Sequence, residues 1–341
     1  MSRQYAAAGV DLDTAEAAKR RIGELVEDTR TRWSLGSVGA FGGMVRVPDG
    51  LRRPALVLST DGVGTKVLVA LEAGRFDTVG EDLVNHGVND ILVHGATPLA
   101  FLDYIAGAGL GVEQIAEIVA GIARACRAHQ MALAGGETAQ MPGLYREGTY
   151  DLAGTIVGVV EADRAIHGDA IVPGDLLLGY ASTGLHTNGY TLARRVIFDR
   201  LGLKLDDRLD QTGGTVRDAL LAVHRSYRAS IAPLLDRVHG LAHITGGGIS
   251  GNLVRILPQD CAATVDPSSW ELPPLFRILQ QAGPISTEEM REVFNLGVGF
   301  IAVLPPAEVA AAQNAAAAAG VTTWVMGEIH RGGRAVRFAR P

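Results

Sequence analysis

Glycine is the residue that most constrains this chain. It occupies 43 of 341 positions, against a usual share of ~7%, and it is clustered without the fixed period of a fibrous repeat. The clusters stand at Gly36 to Gly43, Gly62 and Gly64, Gly135 and Gly136, and Gly246 to Gly248, with others beside polar residues at Gly184, Gly189, Gly297 and Gly299. A backbone that lacks Cβ lets another group approach closely, so several segments are expected to line a ligand site. Size bounds the architecture. A single core usually stops growing near roughly 250 to 300 residues, so two domains are expected, with one barrel-like domain as the alternative.

Composition removes whole classes of function. With 47% hydrophobic and 20% charged residues, the chain can bury a large core and is not a disordered segment. Its 31 Lys and Arg against 37 Asp and Glu leave a net charge of −6 with no dense basic stripe, which argues against a nucleic-acid or anionic-membrane surface. A small anionic ligand needs only a few local groups and stays open. Cys126 and Cys261 show no CxxC spacing, so neither a disulfide framework nor a zinc knuckle is expected. The N-terminus carries Asp11, Asp13 and Glu16 instead of a signal-peptide apolar run, and no stretch reaches the ~20 apolar residues of a membrane span. A cytoplasmic protein without a membrane partner is expected.

Strand and helix patterns alternate along the first half. Ala55 to Leu58 reads as a strand entering a loop, Thr78 to Gly95 as a helix, Leu99 to Ile105 as a strand and Val112 to His129 as an amphipathic helix. Met131 to Ala134 and Asp151 to Val160 read as further strands. Turn chemistry at Ile166 to Asp175 places a domain boundary at 168/169, giving domains 1–168 and 169–341. The second domain opens with a strand at Leu176 to Tyr180 and continues with helices at Tyr190 to Asp199, Val216 to Val238 and Ile249 to Leu257. A strand at Gly299 to Leu304, an Ala-rich helix from Ala307 and a strand at Thr322 to Ile329 close it, with the last dozen residues expected at the periphery. The fold class is α/β (α+β).

Candidate chemistry gathers at the glycines. Ser59 to Lys66 joins Asp61, Gly62, Gly64, Thr65 and Lys66 in eight residues; it is not the GxxxxGK[ST] loop, yet it offers N–H groups and an ammonium for phosphate and a carboxylate for a hard cation. It reads equally as a structural turn. Asn89-Asp90 on a helix and Gly135-Gly136-Glu137-Thr138 after a strand add carboxylates that, with Asp61, suit a Mg²⁺–nucleotide site, or serve as caps and turns. His186 and Asn188 lie in a glycine-flanked loop where an imidazole holds an anion or moves a proton, or where a surface histidine has no role. His243-Ile-Thr-Gly-Gly-Gly248 precedes a helix, whose N–H groups suit an anion; three glycines also suit a tight turn. GxSxG, HExxH and GxGxxG sites are not found.

In this order the segments resemble the phosphoribosylformylglycinamidine cyclo-ligases, also called aminoimidazole ribonucleotide synthetases. The resemblance runs through Tyr5 to Asp13, Gly39 to Gly43, Ser59 to Lys66, Val88 to Asp90, Phe101 to Tyr104, Gly135 to Gly143, Thr183 to Tyr190, His243 to Gly248 and Phe294 to Gly299. It implies an enzyme that cyclises formylglycinamidine ribonucleotide to 5-aminoimidazole ribonucleotide with ATP, releasing ADP and phosphate. It implies Asp61, Asp90 and Glu137 as the Mg–ATP acids and Gly62, Gly64, Thr65 and Lys66 as a phosphate-holding loop. Asn89, Gly135, Gly136, Thr138 and Asn188 are then further nucleotide contacts, His186 and Asn188 match the family's loop near the substrate, and His186, Lys66 and Asp61 are the groups nearest the chemistry. The family's architecture implies a homodimer in which N-terminal domains meet through a β-barrel, with C-terminal α/β domains packed against it.

Some positions depart from the family pattern. Gly23 stands where a lysine is usual, leaving Arg20 or Arg21 as replacements; Gln140 replaces a glutamate before Met-Pro-Gly; Gly251 replaces a glutamate before Asn252. Ala222 to Ser230 lacks the usual Pro-Thr and lysine. These departures keep a catalytically diverged nucleotide-binding paralogue in view; a small-molecule kinase of the same superfamily stays open on chemistry alone, although Met141-Pro-Gly143 and Phe294 to Gly299 favour the cyclo-ligase.

Overall fold

The computed structural model of the chain describes residues 12–37 and 39–339; Tyr5 to Asp11 of the first matching segment lie outside them. The chain divides into two compact units, one formed by residues up to Ile91 with Ala96–Asp163, the other by Leu92–Gly95 with residues from Arg164 onward. Both are α+β. No helix among the described residues is long and apolar enough to cross a membrane.

In the first unit, β1 (Ser34–Leu35) and β2 (Met44–Val45) form a small antiparallel pair, and β3 (Pro54–Gly62), β4 (Thr97–Gly107), β5 (Ala132–Gln140) and β6 (Tyr150–Glu161) form one open sheet. Its order is β3-β6-β4-β5. Only β4 and β5 run parallel, which requires a crossover; the helix Val112–Ala128 supplies it. Residues alternate along β3, leaving Leu56 and Leu58 exposed. The helix Asp77–Leu92 covers the opposite face: a Cβ on Gly87 would lie 3.2 Å from Ile156 of β6, and one on Gly154 of β6 2.9 Å from Leu83. Two helices cross without side chains between them, because a Cβ on Gly80 would fall 2.2 Å from the Ile118 carbonyl and one on Gly121 1.9 Å from that of Asp77.

The strands run further than their apolar cores suggest. Ser59 to Gly62 does not form a loop but continues β3, and Gly135 to Thr138 continues β5. The 12-residue β6 pairs along the whole of β3, and β4 carries the ladder on to β5, so Asp61, Gly154, Asp103 and Gly136 stand in one row across the sheet. Gly136 is required there, since a Cβ would meet the Asp103 carboxylate at 2.4 Å.

Lys66 opens the next helix, Lys66–Ala73, and its ammonium is turned inward. Its Nζ lies 2.7 Å from Asp82 Oδ2, and both side chains have no exposed surface. Burial draws the ammonium pKa down against the pull of Asp82. The ammonium ties the segment after β3 to the helix Asp77–Leu92 inside the unit.

In the second unit, β7 (Leu176–Ala181), β10 (Gly240–His243), β11 (Cys261–Val265), β12 (Val298–Leu304), β13 (Thr323–Arg331) and β14 (Ala335–Phe338) form a sheet ordered β10-β12-β7-β13-β11-β14, while β8 (Arg208–Leu209) and β9 (Gly214–Thr215) pair separately. Both faces of the large sheet are covered. Leu177, Ile301 and Met326 pack on one side with Ile249 and Leu253; Leu178, Tyr180 and Phe300 pack on the other with Tyr227 and Ile231. Burial on both faces explains the unbroken apolar run of β12, all of whose residues are buried.

Three expectations change here. The long helix over Val216 to Val238 is broken into Val216–Leu220, Arg228–Ile231 and a 3-10 turn Ala232–Leu234. Tyr190 and Thr183 hydroxyls claim the Leu220 and Val223 carbonyls, and Pro233 has no N–H to continue the ladder. The helix from Tyr190 ends at Arg194 and continues as a π turn, Arg195–Arg200. The C-terminal residues are not peripheral, because β14 pairs with β11 and packs Val336 and Phe338 on the core.

The buried pair makes a direct test. Asp82→Asn should lower stability by about 3–5 kcal/mol, the cost of stranding a buried charge, while Lys66→Met with Asp82→Leu should restore most of it. Urea denaturation of the two proteins measures both; equal losses would show that the pair is not what holds this segment.

Candidate functional site

Asp82, His86 and Asp90 are spaced i, i+4, i+8 on the helix Asp77–Leu92 and therefore share one face. That face meets the end of β3. His86 Nε2 lies 3.1 Å from Asp61 Oδ2 and 3.7 Å from Asp90 Oδ2, and Ser59 Oγ donates to Asp90 Oδ2 at 2.8 Å. Burial alone would lower the His86 pKa, but the hydrogen bond to Asp61 and the charges of Asp90, Asp61 and Asp82 raise it overall. Asp61 is moved the opposite way: burial raises its pKa, and the hydrogen bond and charge of His86 with the Gly62 N–H outweigh that and lower it. Asp61 and Asp90 thus form an oxygen-rich pair around a buried imidazole, and hard oxygen donors of this kind suit Mg²⁺.

Other predicted residues fall elsewhere. Asn89 is fully buried. Gly62 donates its N–H to the Asp61 carboxylate, Gly64 takes the left-handed conformation at φ 56°, and Thr65 precedes the helix that Lys66 opens. Glu137 is exposed on β5; among the described residues, no three ligating His, Cys, Asp or Glu atoms within 4.8 Å of one another include it. The structure gathers Asp61 and Asp90 and leaves Glu137 apart.

Glu137 instead lines a cavity of about 610 Å³ with Gly135, Gly136, Thr138, Asp103 and Arg30, a volume in the range of small-ligand sites. Glycine keeps its wall thin: a Cβ on Gly43 would lie 2.1 Å from the Ala134 carbonyl. Gly23, one of the departures from the family pattern, is also on this wall. Burial pushes the Asp103 carboxyl up to about 7, making it a protonated acid or a carboxylate near neutral pH.

In the second unit the loop after β7 is built by side chains. Asn295 Nδ2 donates to the Gly184 carbonyl at 2.8 Å, and Asn295 Oδ1 accepts from the Gly297 N–H and from Ser182 Oγ. His186 adopts φ 60°, a left-handed conformation rare outside glycine, and is 1% exposed. The imidazole therefore points into the unit. The Thr183 N–H donates to its Nε2 at 3.2 Å. Nδ2 of Asn188 is buried with no hydrogen-bond partner among the described residues, a donor that a water or a ligand oxygen can satisfy. Asn252 Nδ2 holds the glycine turn through the carbonyls of Gly246 and Gly248 at 3.2 and 2.8 Å. The helix that follows, Gly248–Leu253, has only six residues, so the turn's own N–H groups matter more than a helix dipole.

Sequence reasoning missed His86, Asp82, Asp103, His224 and Asn295. For His86 and Asp82 the signal was present in their spacing of four and eight residues from Asp90. His224 is fully buried beside His186 and His243, and the ligating nitrogens of these three lie within 4.8 Å of one another. Imidazoles suit zinc-like cations, not Mg²⁺. Nothing in the local pattern around His224 announces that meeting.

Comparison with known proteins gives a consistent result. Residues 43–160 match the N-terminal domain model of the AIR synthase related proteins, and residues 172–339 match its C-terminal domain model. A phosphoribosylformylglycinamidine cyclo-ligase of Sorangium cellulosum is 48% identical over 333 residues, covering 96% of both chains. One of Desulfatibacillum aliphaticivorans is 46% identical, covering 96% of this chain and 95% of its own. Among solved structures, a thiamine-monophosphate kinase from Stenotrophomonas maltophilia superposes with a TM-score of 0.70 at 18% identity, over 94% of this chain and 95% of that one. Escherichia coli HypE gives 0.67 at 18% identity, over 94% of each. At such identity these two share the fold.

Asp103 generates a pH test. Its folded pKa lies above its ordinary value of 3.8, so its contribution to stability is complete below that value and is lost as pH rises through about 7. Asp103→Asn should melt higher than the parent at pH 8 and similarly at pH 4. Parallel melting curves across that range would remove the assignment.

Proposed function

The chain belongs to the phosphoribosylformylglycinamidine cyclo-ligase family, and from that membership we infer the work of its site. The enzyme cyclises formylglycinamidine ribonucleotide to 5-aminoimidazole ribonucleotide in purine biosynthesis, converting ATP to ADP and phosphate. The full-length match carries this reading; the kinase and silent-paralogue readings have no comparable support. An amide oxygen is a poor leaving group. Transfer of the γ-phosphoryl group to the formamide oxygen makes it a good one; an amidine nitrogen then uses its lone pair to form the C–N bond, and the C–O pair departs with phosphate. Holding both reacting ends in one site supplies the effective concentration such a closure needs.

Asp61 and Asp90 would hold Mg²⁺, with Ser59 fixing the Asp90 carboxylate. Mg²⁺ supplies charge neutralisation on the phosphates when bound. His86 keeps the two carboxylates oriented from beneath. Gly135, Gly136, Glu137 and Thr138 would line the nucleotide cavity, and Glu137 would contact ATP or one of its waters. Lys66 acts at a distance, by fixing the helix that carries His86 and Asp90. Asn188 and the Gly246 to Gly248 turn would bind oxygens of the ribonucleotide, with His186 setting the shape of its loop from inside.

The family's homodimer is proposed for this chain as well. The open face of the β3-β6-β4-β5 sheet exposes Leu56, Leu58, Leu102 and Tyr104, an apolar patch that a second sheet would cover. A cytoplasmic location accords with two buried cysteines that form no disulfide.

Purified protein should form ADP and aminoimidazole ribonucleotide in equal amounts from Mg–ATP only when formylglycinamidine ribonucleotide is added; nucleotide binding without product would favour the silent paralogue. Asp61→Ala and Asp90→Ala should each lower turnover by about 10²-fold or more, and near-parent rates in both folded variants would dismiss them as metal ligands. Leu58→Lys should convert a dimer to a monomer in light scattering, and an unchanged mass would place the interface elsewhere.

A further inference from the structure

His186, His224 and His243 are distant in sequence and meet in the interior of the second unit. His224 is the middle member. Its ring lies 4.0 Å from that of His186 at an interplanar angle of 20°, and its Nε2 lies 3.0 Å from His243 Nε2. On its other side, Nδ1 is 3.4 Å from Thr187 Oγ1. His186 belongs to the loop that carries Asn188, whereas His243 ends β10 and leads into the glycine turn. The two segments approach each other, since a Cβ on Gly246 would lie 3.3 Å from Asn188 Oδ1.

Each contact restricts a ring. A backbone N–H is always a donor, so the Thr183 bond leaves His186 Nε2 bare and its hydrogen on Nδ1. That ring has little room to swing: a Cβ on Gly299 would lie 2.5 Å from His186 Cε1 and 2.1 Å from the Tyr227 hydroxyl. Between the facing Nε2 atoms of His224 and His243, one supplies a hydrogen and the other a lone pair, so the tautomer of one ring sets that of the other.

We propose that His224 is a positioning residue for the ring closure: it clamps the His186 loop by stacking and the start of the glycine turn through a shared hydrogen, fixing the spacing between Asn188 and Gly246 to Gly248. The substrate role of those segments rests on the reading in the preceding subsection. Zinc-like cation binding by the three histidines is the competing use of the cluster. It is disfavoured because near-parallel stacked rings do not aim their lone pairs at one point, and because His186 Nε2 is already taken by Thr183.

Imidazole nitrogen spectra of ¹⁵N-histidine-labelled protein, kinetics and metal analysis test the assignment together. In the parent, one ring of the His224–His243 pair should carry hydrogen on Nε2 and the other should not; hydrogen on both would overturn the arrangement without any variant. His224→Phe keeps a flat ring and loses the nitrogens. It should change the His243 signals and lower kcat/KM for formylglycinamidine ribonucleotide by about 10²-fold, the scale of a small misplacement of bound groups, with KM for ATP unchanged. His224→Gln retains an amide that can reach His243 and should recover at least about tenfold of that loss, on the same scale. Normal kinetics in folded His224→Phe, equal losses in both variants with parent-like His243 signals, or one zinc-like ion per chain that disappears with His224 would each sink the proposal. If the parent fails to cyclise the substrate, the functional reading falls, and the His243 and His186 signals still decide whether His224 couples the two segments.

Discussion

A lysine and an aspartate with no exposed surface, Lys66 and Asp82, are the constraint on which the acidic site depends. Burying two charges is costly, and only close pairing makes it tolerable. The pair therefore permits little play between the segment that follows β3 and the helix Asp77–Leu92. Asp61 lies at the end of β3 just before that segment, His86 and Asp90 ride on the helix, and the separations around His86 Nε2 inherit that precision. A residue that looks in sequence like a ligand-binding cation joins two elements of the scaffold.

Much of the fold was legible because apolar periodicity reports burial. The helices Asp77–Leu92 and Val112–Ala128 and the strands β4, β6, β7, β12 and β13 appear near their expected places. Failures followed partnership, which a single segment does not disclose. Ser59 to Gly62 has turn composition, yet β6 offers it a continuous ladder; Val216 to Leu234 has helical composition, yet side-chain hydroxyls divert two of its carbonyls. β10, β11 and β14 are short strands whose apolar runs carry no period of their own.

The same distinction holds at the site. The proximity of Asp61 and Asp90 follows from a strand end and a helix face that the sequence pattern already placed, with His86 between them. For Lys66 the charge type was visible in the sequence, while its burial against Asp82 was not. His186 was found in its loop, but its inward direction depends on a left-handed backbone and on the space left by Gly299. The meeting with His224 and His243 arises only when three elements fold together.

The crossing at Gly80 and Gly121 has a consequence for how this enzyme tolerates change over evolutionary time. Where helices meet through large side chains, substitutions in a core shift the helix axes by small steps, and sites carried on them drift. Here the contact is backbone against backbone, with nothing interposed that can swell or shrink. The helix bearing the acids is set by peptide geometry, so the surrounding hydrophobic residues are free to diverge while the acids keep their station.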